Sequence, residues 1–157
     1  MMDFTFLSDP TRELFAIGFN VTDHRRDTVF FDLLATEARL GVYVAIALGQ
    51  VSQDHWFAMS RLLVASRLGP ILVSWSGSMF EYLMPLLVMP TYQHTLLDHT
   101  CQAAVDRQIE YGRARGVPWG ISESGYNRTD VQMNYQYQAF GVPGLGLKRG
   151  LADDLVI

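Results

Sequence analysis

Ser74-Trp75-Ser76-Gly77-Ser78-Met79-Phe80-Glu81-Tyr82-Leu83-Met84-Pro85 is the stretch whose reading decides the fold. Ser78 followed three residues later by Glu81 is a capping box, in which a hydroxyl and a carboxylate satisfy the free N–H groups of a helix start. A helix therefore begins near Ser78. Pro85 kinks it and Pro90 follows its end. Upstream, Leu68-Gly69-Pro70 breaks the pattern, and Ile71-Leu72-Val73-Ser74-Trp75 reads as a short extended run. Downstream, the next helix spans about Thr95 to Ala114. Leu97, Cys101, Val105 and Ile109 recur at helical spacing as its buried stripe, and Gly116 and Pro118 stop it.

Towards the N-terminus, residues from Asp27 or Thr28 to Leu48 read as a long helix, capped by either residue and ended by Gly49. Ser52 or Asp54 opens another through Trp56, Met59 and Leu63. Phe4–Leu7 and Leu14–Phe19 are β-prone and flank an Asp9-Pro10 turn, which predicts a hairpin. From Gly116 to Leu147 the periodicity vanishes. Five aromatics in that region argue against disorder, so it reads as a long functional loop. From Leu147 a further helix begins. The local patterns give four or five helices, one hairpin and one long loop. The apolar end Leu155-Val156-Ile157 expects missing neighbours, which predicts a piece of a larger protein.

The chain has 157 residues, 49% hydrophobic and 18% charged, which suits one domain with a real core. Net charge is −4, with no basic stripe, so nucleic acid is not an expected partner. Cys101 is alone and is expected to be a small core residue. No signal peptide is read at Met1-Met2-Asp3-Phe4. The apolar runs at Leu40–Leu48 and Leu83–Met89 fall short of the roughly 20 residues of a membrane span, so the segment is expected to be soluble. The histidines His24, His55, His94 and His99 lack ligand spacing. No metal and no cofactor is expected. The glycines of Gly141-Val142-Pro143-Gly144-Leu145-Gly146 lack the strand–helix context of a phosphate loop.

Several side chains could carry chemistry. On a helix, Glu37 would have Leu33, Leu34, Leu40 and Gly41 one turn away, placing a carboxylate in the apolar stripe. Such a group is paired with an arginine, protonated or facing a polar cavity. Asp32 shares a helix side with Thr36 and Arg39 and reads as part of a hydrogen-bonded charge face. Glu81 has its capping task, while the Trp75 and Ser76 loop could also touch a ligand. Glu123 sits in Trp119-Gly120-Ile121-Ser122-Glu123-Ser124-Gly125-Tyr126-Asn127, among aromatic faces and amides that match the mixed surface of a pyranose. A solvated loop glutamate is the plain alternative. Asn134-Tyr135-Gln136-Tyr137-Gln138, if extended, puts both tyrosines on one face and the amides on the other; core or cross-strand packing would explain it too.

Several of these stretches together resemble a known family. They are Phe31-Asp32-Leu33-Leu34-Ala35-Thr36-Glu37-Ala38-Arg39-Leu40, the Ser74–Pro85 stretch, Arg107-Gln108-Ile109-Glu110-Tyr111, Gly116-Val117-Pro118-Trp119-Gly120-Ile121-Ser122-Glu123-Ser124, Tyr135-Gln136-Tyr137 and the run Phe140–Gly150. The resemblance is to the glycoamylase-like, glycoside-hydrolase-like transglycosylase domain of bacterial cyclic β-1,2-glucan synthases and cellobiose-phosphorylase-related proteins, and it covers nearly the whole chain. It implies a mainly α fold, part of an (α/α)6 barrel, with the small hairpin and the long active-site loop added. The 157 residues would be one segment of that domain, completed by the remaining barrel helices and by other domains of a parent chain. The parent would be attached to the inner membrane, with this segment on its cytoplasmic side.

The activity implied is cleavage of linear β-1,2-glucan and rejoining into rings. Carried over residue by residue, the catalytic pair falls on Glu37 and Glu123. A retaining mechanism would make Glu37 the nucleophile and Glu123 the acid/base. Asp32, Trp75, Ser76, Glu81, Trp119, Tyr126, Tyr135 and Tyr137 would contact the glucan. Competing readings are an endo-β-1,2-glucan hydrolase, a glucan-binding segment without turnover, and a plain helical interaction module.

Overall fold

A computed structural model describes residues 2–67 and 69–147, with Tyr126 and Asn127 described for their backbone only. The helix expected from Leu147 onward falls on residues 148–157, outside the described residues, as does Leu68. The chain divides into two compact units, Met1–Arg61 and Leu62–Ile157.

In the first unit a 3-10 turn, Thr5–Leu7, leads into the hairpin of β1 (Ser8–Asp9) and β2 (Leu14–Phe15). A hairpin forms about the expected Asp9-Pro10 turn, but Thr5–Leu7 of the expected first strand is 3-10, the strands are two residues long and Ser8 pairs with Phe15. Asp9 shapes the turn, its carboxylate accepting from the N–H groups of Thr11 and Arg12. A second antiparallel pair follows, β3 (Phe19–Asn20) and β4 (Arg25–Arg26). Helix α1 runs Thr36–Ala47 and helix α2 only Asp54–Ala58.

The long helix predicted from residue 27 or 28 is therefore shorter by two turns. Thr28-Val29-Phe30-Phe31 is β-branched and aromatic, a composition that favours extended backbone, and Phe30 bridges Ala16 instead of joining the helix. Asp32 then accepts from the N–H groups of Leu34 and Ala35 at 2.7 and 3.0 Å. This local turn competes with helix and delays its start. The core of this unit holds Phe15, Ala16, Leu33, Leu34, Ala38, Val42, Ala45 and Met59.

The second unit opens with the hairpin of β5 (Leu63–Ser66) and β6 (Gly69–Leu72), in antiparallel register Leu63↔Leu72. Leu63, expected in a helix, is strand, because it pairs with the apolar run Ile71-Leu72. Helix α3 (Met79–Leu83) carries the predicted capping box, with both reciprocal bonds formed. Pro85 converts the following turn, Met84–Leu87, to 3-10 geometry. Helix α4 (Leu96–Arg115) has Thr95 as N-cap and Gly116 in the left-handed conformation at its C-cap (φ 68°). Its buried face is Thr100, Cys101, Ala103, Ala104, Gln108, Tyr111 and Gly112. Of the predicted stripe only Cys101 is fully buried; Leu97, Val105 and Ile109 lie at its margin. The region read as an irregular loop contains the longest strands of the molecule's described part, β7 (Glu123–Thr129) and β8 (Tyr135–Ala139).

The mainly α, partial (α/α)6 barrel is thus contradicted. The described residues form four α-helices, two of them five residues long, and four separate two-stranded antiparallel sheets. Extended segments that a helix-only reading counts as connections instead pair with one another. Among the described residues no helix is long and apolar enough to cross a membrane.

Candidate functional site

In the second unit the sequence around Glu123 is built from the inside out. Gln108 is fully buried on α4. Its Oε1 accepts from the N–H groups of Gly120 (3.2 Å) and Ile121 (2.8 Å), and its Nε2 donates to the Ile121 carbonyl (2.9 Å). One side chain therefore imitates a strand partner for residues 120–121. The start of α3 grips the same segment: Met79 N–H donates to the Ile121 carbonyl at 3.0 Å, and Phe80 N–H to Ser122 Oγ at 3.0 Å. Glu123 is the next residue, and the first of β7.

The register of β7 and β8 pairs Glu123 with Ala139 and Gly125 with Tyr137, with a bulge between Tyr126 and Thr129. Glu123, Gly125, Tyr137 and Tyr135 consequently share one face. As predicted from the alternation, both tyrosines project on that face, and both are largely exposed (73% and 65%). The Tyr137 phenol donates to Glu123 Oε2. That bond, helped by slight burial and the carboxylate charge, pushes the Tyr137 phenol above its usual ionisation range. Tyr126 pairs with Gln136 in the ladder. Trp119 and Trp75 are also exposed, at 53% and 65%.

Glu81 is engaged from several sides. Its carboxylate accepts from the hydroxyls of Ser74 (3.0 Å), Ser76 and Ser78 (2.8 Å), and from the N–H groups of Ser76 (3.1 Å) and Ser78 (2.9 Å). Burial pushes this carboxyl up, but the Ser76 and Ser78 hydrogen bonds together outweigh it and hold it below the usual range. Ser76, proposed from sequence as a ligand contact, is buried and spends its hydroxyl on Glu81. Below it, the Tyr82 hydroxyl donates to the Leu145 carbonyl at 2.6 Å, and burial pushes its ionisation up to about 12.

Residues 74–77 and 141–147 run together at close range. Ser74 bridges Gly146 in parallel, and a Cβ on Gly141 would lie 1.8 Å from the Ser76 carbonyl oxygen. The Gly-rich run is therefore a close-packing device.

In the first unit, Glu37 lies in the first turn of α1 and is exposed, with Thr36 Oγ1 donating to its Oε2 at 3.0 Å. The expected apolar setting is overturned, because Leu33 and Leu34 precede the helix. The buried face of α1 is Thr36, Ala38, Arg39, Val42 and Ala45. Around Gly41, one turn on, a Cβ would meet nothing within 4 Å, so the surface beyond Glu37 is open. Asp32 is not on the helix with Thr36 and Arg39; it shapes the turn before it. Sequence reasoning missed Gln108. Its signal was a glutamine in phase with Cys101 and Ala104 on an otherwise apolar face.

A cavity of about 470 Å³ lies elsewhere in the second unit, lined by Ser66, Ile71, Ala103, Arg107 and Leu145 among others, and includes none of these candidate residues. No cluster of metal-ligating side chains is found among the described residues.

No family model matches the chain. It is 50% identical over 156 residues, 99% of its length, to a stretch of the cyclic beta-(1,2)-glucan synthase NdvB of Rhizobium meliloti (strain 1021). It spans only 6% of that protein's length. Half of the positions identical over a match of this length make the chain a relative of one segment of a cyclic β-(1,2)-glucan synthase.

Proposed function

We propose that this chain is a carbohydrate-active segment that cleaves β-1,2-glucan chains and transfers the cut end, closing them into rings. The observation that carries the reading is the Glu123 face of β7 and β8: a carboxylate with exposed tyrosines beside it, on backbone that Gln108 and α3 hold in place. Aromatic faces take the C–H face of a sugar ring, and amides and hydroxyls take its rim. The similarity to a synthase named for cyclic β-(1,2)-glucan supports the choice of polymer.

The chemistry needs two carboxyl groups, for which Glu37 and Glu123 are the candidates. In a retaining transfer, one carboxylate attacks the anomeric carbon as the glycosidic C–O bond breaks, and the other carboxyl protonates the departing oxygen. A glucan hydroxyl then attacks the glycosyl ester, gives its proton to the second group and frees the first. The resemblance gives Glu37 the nucleophile's part and Glu123 the acid's. The Tyr137 phenol donating to Glu123 Oε2 is compatible with either order, since both forms of a carboxyl group accept hydrogen bonds. Trp75, Trp119 and Tyr135 supply sugar-stacking surface, the side chain of Tyr126 lying outside the described residues, while Ser76 and Glu81 support it through loop geometry and Asp32 is a further candidate glucan contact in the first unit. The partners are β-1,2-glucan and the further domains of a longer, membrane-attached synthase.

The test is product analysis with linear β-1,2-glucan. Cyclic or rearranged glucans that vanish in Glu123→Gln support transfer. Shorter linear glucans alone would replace it with endo-hydrolysis, and no change in the glucan would sink both.

A further inference from the structure

We infer that Tyr137 is a positioning residue for Glu123, holding one carboxylate oxygen so that the other faces the sugar. The inference rests on the glycan-active reading of Glu123 but adds a residue role that the reading does not need. Tyr137 lies on β8 two positions along the ladder from the partner of Glu123, and the residue directly opposite Tyr137 is Gly125. With glycine there, the nearest atom to a Cβ built at Gly125 is the Gln136 carbonyl oxygen at 3.8 Å, so the face between Tyr137 and Glu123 is clear. The ring reaches across it and its hydroxyl donates to Oε2.

The consequences differ for the two oxygens. Oε2 is fixed by a donor that is neutral at working pH, so the carboxylate plane is set without a competing charge. Among the described residues Oε1 has no hydrogen-bond donor, and it is the oxygen available to a substrate. Aromatic rings are stiff, with two side-chain torsions, and Tyr137 holds a flexible glutamate at low cost. Misplacement of a reacting group by about 1 Å can cost on the order of a hundredfold in rate, which sets the scale of what such a hold achieves.

Tyr137→Phe removes one exposed oxygen and leaves the hairpin's packing intact, so the variant is suitable for a direct test. The first measurement is the ring-carbon NMR titration of Tyr137 in the full chain, with and without Glu123→Gln. The pairing predicts that the phenol titrates at lower pH once the carboxylate is gone. An unmoved titration overturns the inference, whatever the enzyme does.

The second measurement is turnover of linear β-1,2-glucan. Tyr137→Phe is expected to lower kcat by roughly tenfold to a hundredfold with KM changed little. A fall confined to KM would make Tyr137 a sugar contact and overturn the positioning role. If Glu123→Gln retains full turnover, the glycan-active reading of Glu123 fails instead, and the titration still decides the pairing.

Discussion

Replacing Gln108 by leucine would test whether one buried amide holds the backbone that presents Glu123. Leucine matches glutamine in rough size and helix propensity, so α4 itself should persist. Three hydrogen bonds disappear, but their losses are unequal. The Ile121 carbonyl keeps its bond from Met79 N–H. Gly120 is exposed, and its N–H can turn to water. The Ile121 N–H is buried and is left without a partner. That orphan costs about 1–3 kcal/mol and the other two losses about 0.5–1.5 kcal/mol each, while the added apolar burial returns about 1 kcal/mol. The expected net loss is roughly 1–5 kcal/mol, with a central value of about 3 kcal/mol, a large part of a typical domain's stability. Urea unfolding followed by circular dichroism measures it. Gln102→Leu is the matched control, because Gln102 is exposed on the same helix and its side chain bonds to half-buried Asp98 at the surface; it should stay within about 0.5 kcal/mol. A Gln108→Leu protein as stable as the control would refute the clamp.

Further outcomes follow from individual contacts. Gly141→Ala should destabilise by about 2 kcal/mol or more, since its Cβ would fall 1.8 Å from the Ser76 oxygen, whereas Gly41→Ala on open α1 should stabilise by about 0.5–1 kcal/mol; thermal unfolding compares the two. Glu81→Gln should cost about 2–4 kcal/mol by leaving hydroxyl and N–H donors without their charged acceptor. Because the Glu81 carboxyl is held below its unfolded value of 4.5, its contribution is present above that pH and is lost as pH falls through the folded value; the variant's acid unfolding should be correspondingly less steep. His55 is buried, bonds Ser8 Oγ at 2.8 Å, and burial pushes its ionisation below 6.5 despite Glu13 and Asp54 nearby. Its neutral form supports the fold above 6.5, and that support declines as pH drops below it, so His55→Gln should flatten stability between about pH 7 and 5 in denaturant titrations.

Features encoded within a few residues were legible from sequence. The Ser78–Glu81 box, the helix start near Thr95, the Gly116 stop and the Tyr135/Tyr137 alternation each depend on neighbours in the chain, and each is observed. What failed depended on distant partners. Phe30 leaves the helix because Ala16 offers it a bridge, and Leu63 becomes strand because Leu72 lies opposite. The β7–β8 hairpin was hidden by its polar, Gly-containing sequence and its bulge, which erase the period of two. The helical setting given to Glu37 assumed a helix start that Asp32 postpones. Glu123 stood out from its aromatic neighbours, but Gln108, which holds its segment, carried only its phase with Cys101 and Ala104 as a signal, and its partners at residues 120–121 are set by the fold.

The most direct test of the central claim exchanges this chain for the matching 156-residue stretch of NdvB and follows the glucan products made by the chimera. The account predicts that the chimera makes cyclic β-1,2-glucan, and that Glu37→Gln or Glu123→Gln in it leaves linear glucan unclosed. Rings formed at the parental rate by either variant would contradict it.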